Sequence, residues 1–343
     1  KLDGFEVLEL LADSARPAVQ TFAGAYHEAI LDRETSDQLN ELCRRTGTTL
    51  FMALLGAFNV LLSRYSQQED VTIGSAIANR HHKEIEGVLG FFVNTLALRS
   101  DLSGNPSFID LLARVKTTCL EAYSHQDIPF ERLVKELNVA RDPSRSPIFQ
   151  VMLVLQNTSA ADSSLALTGL KVESPSFDYN VSKFDITLNV EETAGGMRFS
   201  FNYNTDLYRK ETIVRLAEHF RTLVKGIVQT PEQQITKLSM LTEPECHQEF
   251  IDWNQTQQPA YPTDKTIHEV FERQAEQTPK NVAVVYEDEH GGNRVELTYA
   301  ELNARTNQLA RFIREQYKAN TGHELTSDTF IGVCVDRSAD III

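Results

Sequence analysis

Two histidines stand side by side in the stretch His81-His82-Lys83-Glu84-Ile85-Glu86-Gly87, just ahead of a carboxylate. An imidazole with a pKa near neutrality can take a proton from an amine nucleophile, which is general-base chemistry for acyl transfer. A further imidazole opens His125-Gln126-Asp127-Ile128-Pro129-Phe130-Glu131. A third polar cluster lies in Arg141-Asp142-Pro143-Ser144-Arg145-Ser146-Pro147-Ile148-Phe149-Gln150, which runs straight into the apolar run Val151–Leu155. Charge beside a core is costly unless paired, so Arg141, Asp142 and Arg145 are expected to form an ion-pair turn that fixes the strand from Phe149. Asn94, inside the apolar run Phe91–Leu98, and Asp185, in Lys183-Phe184-Asp185-Ile186-Thr187, are polar groups in apolar settings that need partners.

The elements that must hold these groups alternate between helical and strand periodicity, which is an α/β pattern. Residues 9–27 read as loop, with Pro17 and Gly24 as breakers, and Ala25–Asp32 reads as a strand. Thr35-Ser36-Asp37-Gln38 has the form of a capping box for a helix ending at Gly47, and Thr48 is the expected cap of a second helix. In that second helix Phe51, Leu54, Leu55, Phe58, Leu61 and Leu62 recur at three- and four-residue steps.

Strands are expected at Asp70–Ile77 and Phe91–Leu98, the latter apolar on both faces. Pro106 and Pro129 are expected to open helices, with Asp127 capping the second of them. Strands follow near 149–156, 168–175, 184–192 and 197–204, then a helix over 209–229. Pro, Gln and Asn rise over 230–265, where a linker with a short helical piece is expected. A new pattern then begins: helix 266–277, strands 281–286 and 295–298, helix 299–318 and strand 329–335.

The 343 residues suffice for two domains, and 41% hydrophobic with 24% charged residues is an ordinary soluble composition. A formal charge of −15 argues against a basic, phosphate-tracking surface, so nucleic acid is not an expected partner. No apolar run approaches the ~20 residues of a membrane span, and the start lacks the form of a signal peptide. Neither a membrane partner nor a metal site is expected. Cys43, Cys119, Cys246 and Cys334 lie far apart, the usage of a reducing compartment, so a cytoplasmic location is expected. Residues 1–4 read as the tail of a helix and Ile341-Ile342-Ile343 stops within an apolar segment, so the chain is expected to be a piece of a longer one.

Four stretches resemble one family. Leu89-Gly90-Phe91-Phe92-Val93-Asn94-Thr95 resembles the I-G-x-F-V-N-T motif of nonribosomal peptide synthetase condensation domains. His125-Gln126-Asp127-Ile128-Pro129-Phe130-Glu131 is similar to their H-Q-D-x-P-F-E. Arg141–Ile148 is similar to R-D-x-S-R-N-P-L, with Ser146 for Asn and Ile148 for Leu. Leu297-Thr298-Tyr299-Ala300-Glu301-Leu302 resembles the first core motif of the adenylation domains that follow them.

The resemblance implies a chloramphenicol-acetyltransferase-like lobe, a mixed sheet with helices, over residues 1–240. A linker at 241–262 and the start of an AMP-forming adenylation domain at 263–343 would follow. It implies amide formation between carrier-bound aminoacyl and peptidyl thioesters, with amino-acid activation by ATP in the intact protein. Phosphopantetheine on partner carrier domains, and ATP with Mg for the intact adenylation domain, are the implied cofactors; none is expected on this piece alone. Carrier domains and the other synthetase domains are the implied partners.

The family's catalytic signature is H-H-x-x-x-D-G, far upstream of the F-V-N-T strand. Here His82 lies only nine residues before Phe91. A solvated loop after Ala78-Asn79-Arg80 explains the doublet, so His81 and His82 are read as a decoy and the catalytic histidine is expected upstream of residue 1. Gly90, Phe92, Asn94, Thr95, His125, Gln126, Asp127, Arg141, Asp142, Ser144 and Arg145 remain as tunnel-lining or structural residues, and Thr298, Tyr299, Glu301 and Leu302 as the adenylation motif. For Asn94, a place in the substrate tunnel and a structural bond to strand ends stand as alternatives. Asp185 is expected to face the lobe interface. A non-catalytic carrier-docking module of the same fold is the competing reading.

Overall fold

The computed structural model describes residues 1–80, 83–156, 180–257, 264–287, 294–336 and 338–343. It divides into two compact units, 1–254 and 255–343. The expected strand at 168–175 lies outside the described residues, as do His81 and His82.

The first unit is a six-stranded mixed sheet: β1 (Gly24–Asp32), β2 (Asp70–Ile77), β3 (Asn94–Asp101), β4 (Val151–Gln156), β5 (Ile186–Thr193) and β6 (Gly196–Asn204). Their order is β1-β6-β5-β4-β2-β3. β4 runs parallel to β2 and β5, and the remaining neighbours are antiparallel. Val151 and Leu153 face the main core, while Met152 and Val154 face a smaller one on the opposite side. That alternation is what a strand covered on both faces requires.

Helices α1 (Arg33–Thr46), α2 (Leu50–Ser66), α4 (Phe108–Tyr123) and α6 (Lys210–Gln229) cover the main face. α2 is apolar nearly all round, and such a helix can only be a core helix in water. Phe58 meets Phe220 of α6 edge-on at 5.8 Å. α5 (Phe130–Glu136) lies on the opposite face, where Phe130, Leu133 and Val134 pack with Phe149. The short α3 (Lys83–Glu86) precedes β3. At Gly74 in β2 the ring of Phe149 comes so close that an added Cβ would sit 2.1 Å from its Cε2, so only glycine fits.

Several element ends differ from the sequence reading. Asp32, not Thr35, caps α1 by accepting the Thr35 amide at 2.8 Å, because β1 runs directly into the helix. Thr49, not Thr48, caps α2, since Thr48 closes the preceding turn around left-handed Gly47. Pro106 does not open α4: the helix starts at Phe108, with Ser107 as its cap. The start is not a helix tail: Asp3 and Gly4 form a turn, with the Phe5 amide donating to the Leu2 carbonyl at 3.4 Å. β3 starts at Asn94 instead of Phe91, because its partner β2 ends opposite, at Ile77. Phe91, unpaired, is 93% exposed, so the run is not apolar-buried on both faces.

Residues 241–254, read by composition as linker, group with the first unit. α7 (Glu243–His247) is tied down through Glu245, which accepts from buried His219 of α6 at 3.0 Å, while Tyr65 of α2 meets the other ring nitrogen at 2.7 Å. A π-helical turn, Gln248–Asp252, follows.

In the second unit, α8 (Ile267–Gln277), the hairpin β7 (Val282–Glu287) and β8 (Arg294–Thr298), and α9 (Tyr299–Thr321) share a small core around Leu297, Leu302 and Ala339. The strand expected at 329–335 does not form, for no strand among the described residues offers it a ladder. No single helix among the described residues is long and apolar enough to cross a membrane. Cys43 and Cys119 are buried, but Cys246 is half-buried and Cys334 exposed.

Candidate functional site

The chain must pass from α4 on one face of the sheet to α5 on the other, and residues 124–129 make that crossing around β3, the edge strand. Asn94, the first residue of β3, holds the crossing in place. Its Nδ2 donates to the carbonyls of Gln126 and Ile128 at 2.7 and 2.8 Å, and its Oδ1 accepts from the Phe130 amide at 3.3 Å. Pro129 occupies the cap position of α5 and has no side chain able to cap it. Asn94 therefore does the work expected of Asp127, from another strand. Its amide group is committed on both atoms, to the turn and the start of α5 rather than to neighbouring strand ends.

His125 sits exposed in the turn, its amide donating to the Ala122 carbonyl at 3.1 Å and its carbonyl accepting from Ile128 at 3.2 Å. Asp127 is exposed as well. Thr95 pairs with Ala76 in the ladder. Ahead of β3, the guanidinium of Arg80 lies 4.3 Å from the centre of the Phe92 ring and donates to the carbonyls of Ile85 and Val88. Gly90 lies against the same ring, where a Cβ would meet Phe92 at 2.9 Å.

The Arg141–Gln150 stretch lies at the entry to β4. Asp142 pairs with Arg145 at 2.8 Å and accepts from the Ser144 amide at 2.8 Å and from the Ser144 hydroxyl. The Ser144 hydroxyl and amide, then Arg145, hold the Asp142 carboxyl below the usual carboxylate range. Arg141 is exposed and takes no part in the pair, so the ion-pair turn consists of Asp142 and Arg145. Beyond it Ile148, buried, adopts a left-handed backbone with φ 68°, and Phe149 N–H donates to the Pro147 carbonyl at 2.8 Å. A β-branched residue in such a γ-turn is strained by about 1–3 kcal/mol, and the burial of Ile148 and Phe149 offsets it.

Sequence reasoning did not find Arg16. Its guanidinium grips both carboxylate oxygens of Asp185, one at 3.0 Å, and reaches the Ser144 carbonyl at 3.4 Å. Asp185 is a buried anchor, 6% exposed, and its amide donates to the carbonyl of Gln150, just ahead of β4, at 2.9 Å. Asp185 is the chief cause that raises the Arg16 pKa. Tyr208 lies beside this pair, its phenol pushed up mainly by burial and then by the Asp185 charge. Arg16 stands in Ser14-Ala15-Arg16-Pro17, a loop with no periodic signal. Only the pairing rule for Asp185 pointed to a cation somewhere.

In the second unit Thr298 and Glu301 form a reciprocal capping box on α9. Glu301 N–H donates to Thr298 Oγ1 at 3.3 Å, and the Glu301 carboxylate accepts from the Thr298 amide at 2.9 Å. Leu302 is buried in the small core, and Tyr299 packs against Phe271 at 6.0 Å. No group of His, Cys, Asp and Glu among the described residues is arranged to hold a metal.

A mixed sheet with helices on both faces, one motif loop clipped at its β3 edge and another at the entry to the interior strand β4, defines an α/β lobe with no complete catalytic set among the described residues. The profile of the condensation-domain family matches residues 1–248, and the chain belongs to that family. It is similar to bacitracin synthase 3 of Bacillus licheniformis, at 40% identity over 337 residues, 98% of this chain and 5% of that protein. The crystal structure of the X-domain from teicoplanin biosynthesis is similar at 25% identity and a TM-score of 0.66, covering 70% of this chain and 55% of that one. The four-domain nonribosomal peptide synthetase holo-AB3403 shares the fold over 92% of this chain and 24% of its own, with a TM-score of 0.68 at 22% identity. The chain thus spans only a few per cent of the length of the curated synthetase relatives it matches.

Proposed function

We propose that this chain is an interior piece of a modular nonribosomal peptide synthetase: the second lobe of a condensation domain, then a connector and the opening of an adenylation domain. The intact domain joins an aminoacyl amine to an upstream peptidyl thioester, both carried on phosphopantetheine arms of carrier domains. Holding two thioesters end to end supplies most of the rate through proximity, and one base completes the reaction. In this reading the base is a histidine in sequence ahead of residue 1, His81 and His82 are bystanders, and ATP with Mg serves the completed adenylation domain. The protein works in the cytoplasm.

The observation that carries the reading is the Asn94 clip, which joins the F-V-N-T and H-Q-D-I-P-F stretches at one sheet edge. Two separate motifs of the resemblance are thereby parts of one structure. Similarity to bacitracin synthase 3 runs over 98% of the chain, past residue 248 where the family profile ends, and supports assigning 263–343 to the same kind of assembly.

The test is a pair of assays with loaded carrier proteins. The purified 343-residue chain is expected to form no dipeptidyl-carrier and no aminoacyl adenylate, whereas a chain extended in frame in both directions is expected to form both. Dipeptide formation by the 343 residues alone defeats the reading.

A further inference from the structure

A cavity of about 490 Å³ opens at the carboxyl ends of the parallel strands β2, β4 and β5, under the first turn of α2. Its volume falls within the range of about 300–1,000 Å³ typical of small-molecule sites, and carboxyl ends of parallel strands are where α/β sheets hold ligands. The floor is apolar, built by Ile77, Leu96, Leu98 and Leu155. Two polar groups stand on it that the fold leaves unused. Ser75 is 4% exposed, and among the described residues its hydroxyl has no hydrogen-bond partner. Glu192, exposed at the rim, has no ion-pair partner among the described residues. Tyr123 completes the wall as a neutral phenol, pushed up to about 12 by burial.

A hydroxyl that lines the cavity without a protein partner is free to donate to, or accept from, a ligand atom. An unpaired carboxylate beside an apolar cavity selects a cation, because its hydrogen bonds to charged donors are roughly twice as strong as neutral ones. We propose that this cavity binds a small ligand with an apolar body and a protonated amine, its ammonium on Glu192 and its body on the β2–β3–β4 floor, with Ser75 hydrogen-bonding a polar atom inside. The proposal is independent of the amide-forming reading above, since it concerns binding alone. A competing role for Glu192 is to complement the unpaired amides at the N-terminus of α2, whose first turn carries no acidic residue.

The full chain titrated with 3-phenylpropylamine and, separately, with 3-phenylpropanoate distinguishes the two. Saturable binding of the amine, with shifts of the Ser75 and Leu96 backbone NMR signals, is expected. The carboxylate is expected to bind at least about tenfold more weakly, and Glu192→Gln to weaken the amine about tenfold. Failure of the amine to bind saturably, equal binding of both probes, or a Glu192→Gln variant that lowers the melting temperature while leaving amine binding unchanged overturns the proposal.

Discussion

Asn94 Oδ1 accepts the first amide of α5, that of Phe130, across 3.3 Å, so a strand residue caps a helix thirty-six positions further on. The same side chain holds the carbonyls of Gln126 and Ile128. Asn94→Ala removes three hydrogen bonds at once and leaves one amide and two carbonyls to find water. A loss of about 1–3 kcal/mol is expected, read as a lower urea midpoint with an unchanged slope. Asn94→Asp keeps the acceptor but sets a charge against two carbonyls, and is expected to be no better than alanine.

The Arg16–Asp185 pair joins the N-terminal loop to the β5 entry, with side chains 22% and 8% exposed. Asp185→Ala strands a guanidinium and is expected to cost about 3–5 kcal/mol, the penalty for breaking a buried pair from one side. Arg16→Met combined with Asp185→Leu removes both charges and is expected to cost less than Asp185→Ala alone. Denaturant midpoints of the three variants check the order.

Acid sensitivity should be traceable to Asp32. The Thr35 amide, then Lys225 at 2.9 Å, hold its folded-state carboxyl well below the usual carboxylate range. A depressed carboxylate contributes stability above its unfolded pKa of about 3.9 and loses it as pH falls towards the folded value. Asp32→Asn keeps an N-cap but not the charge. The wild type is expected to be the more stable at pH 7, with its advantage shrinking steadily below about pH 4. Equal pH profiles for the two proteins would count against the pairing.

Gly74→Ala places a methyl group 2.1 Å from the Phe149 ring, which is itself packed between Phe130 and Phe184 at 5.4 Å from each. Overpacking of this kind costs about 1–3 kcal/mol. Phe149→Leu in the Gly74→Ala background is expected to recover part of the loss, a coupling visible in a double-mutant cycle.

His82→Ala in a full-length synthetase is expected to leave amide formation near normal. A fall beyond the ~10²-fold scale of an acid–base residue would restore the doublet as a catalytic site.

The elements themselves were legible in the sequence wherever periodicity was strong. β1, α2, β2, α6 and the capping box of Thr298 and Glu301 stand close to where spacing placed them. Local chemistry governs such features: a hydrophobic stripe, or a threonine three residues ahead of a glutamate, acts over one turn. The misplaced ends share another cause. β3 begins at Asn94 because β2 ends at Ile77, and 329–335 forms no strand for want of a neighbour among the described residues. Strand limits depend on a partner that periodicity does not name.

The polar residues divide in the same way. That Asp142, Asn94 and Asp185 needed partners follows from their types and settings alone, and so does the Asp142–Arg145 pair of a four-residue turn, though not the absence of Arg141 from it. The identity of the distant partners was settled only by tertiary structure. Arg16 meets Asp185 across 169 positions, and Asn94 displaces Asp127 as the support of α5, because the edge of the sheet brings β3 against the α4–α5 crossing. Hydrogen bonds select on distance and direction, and for groups so far apart in the chain only the folded sheet supplies either.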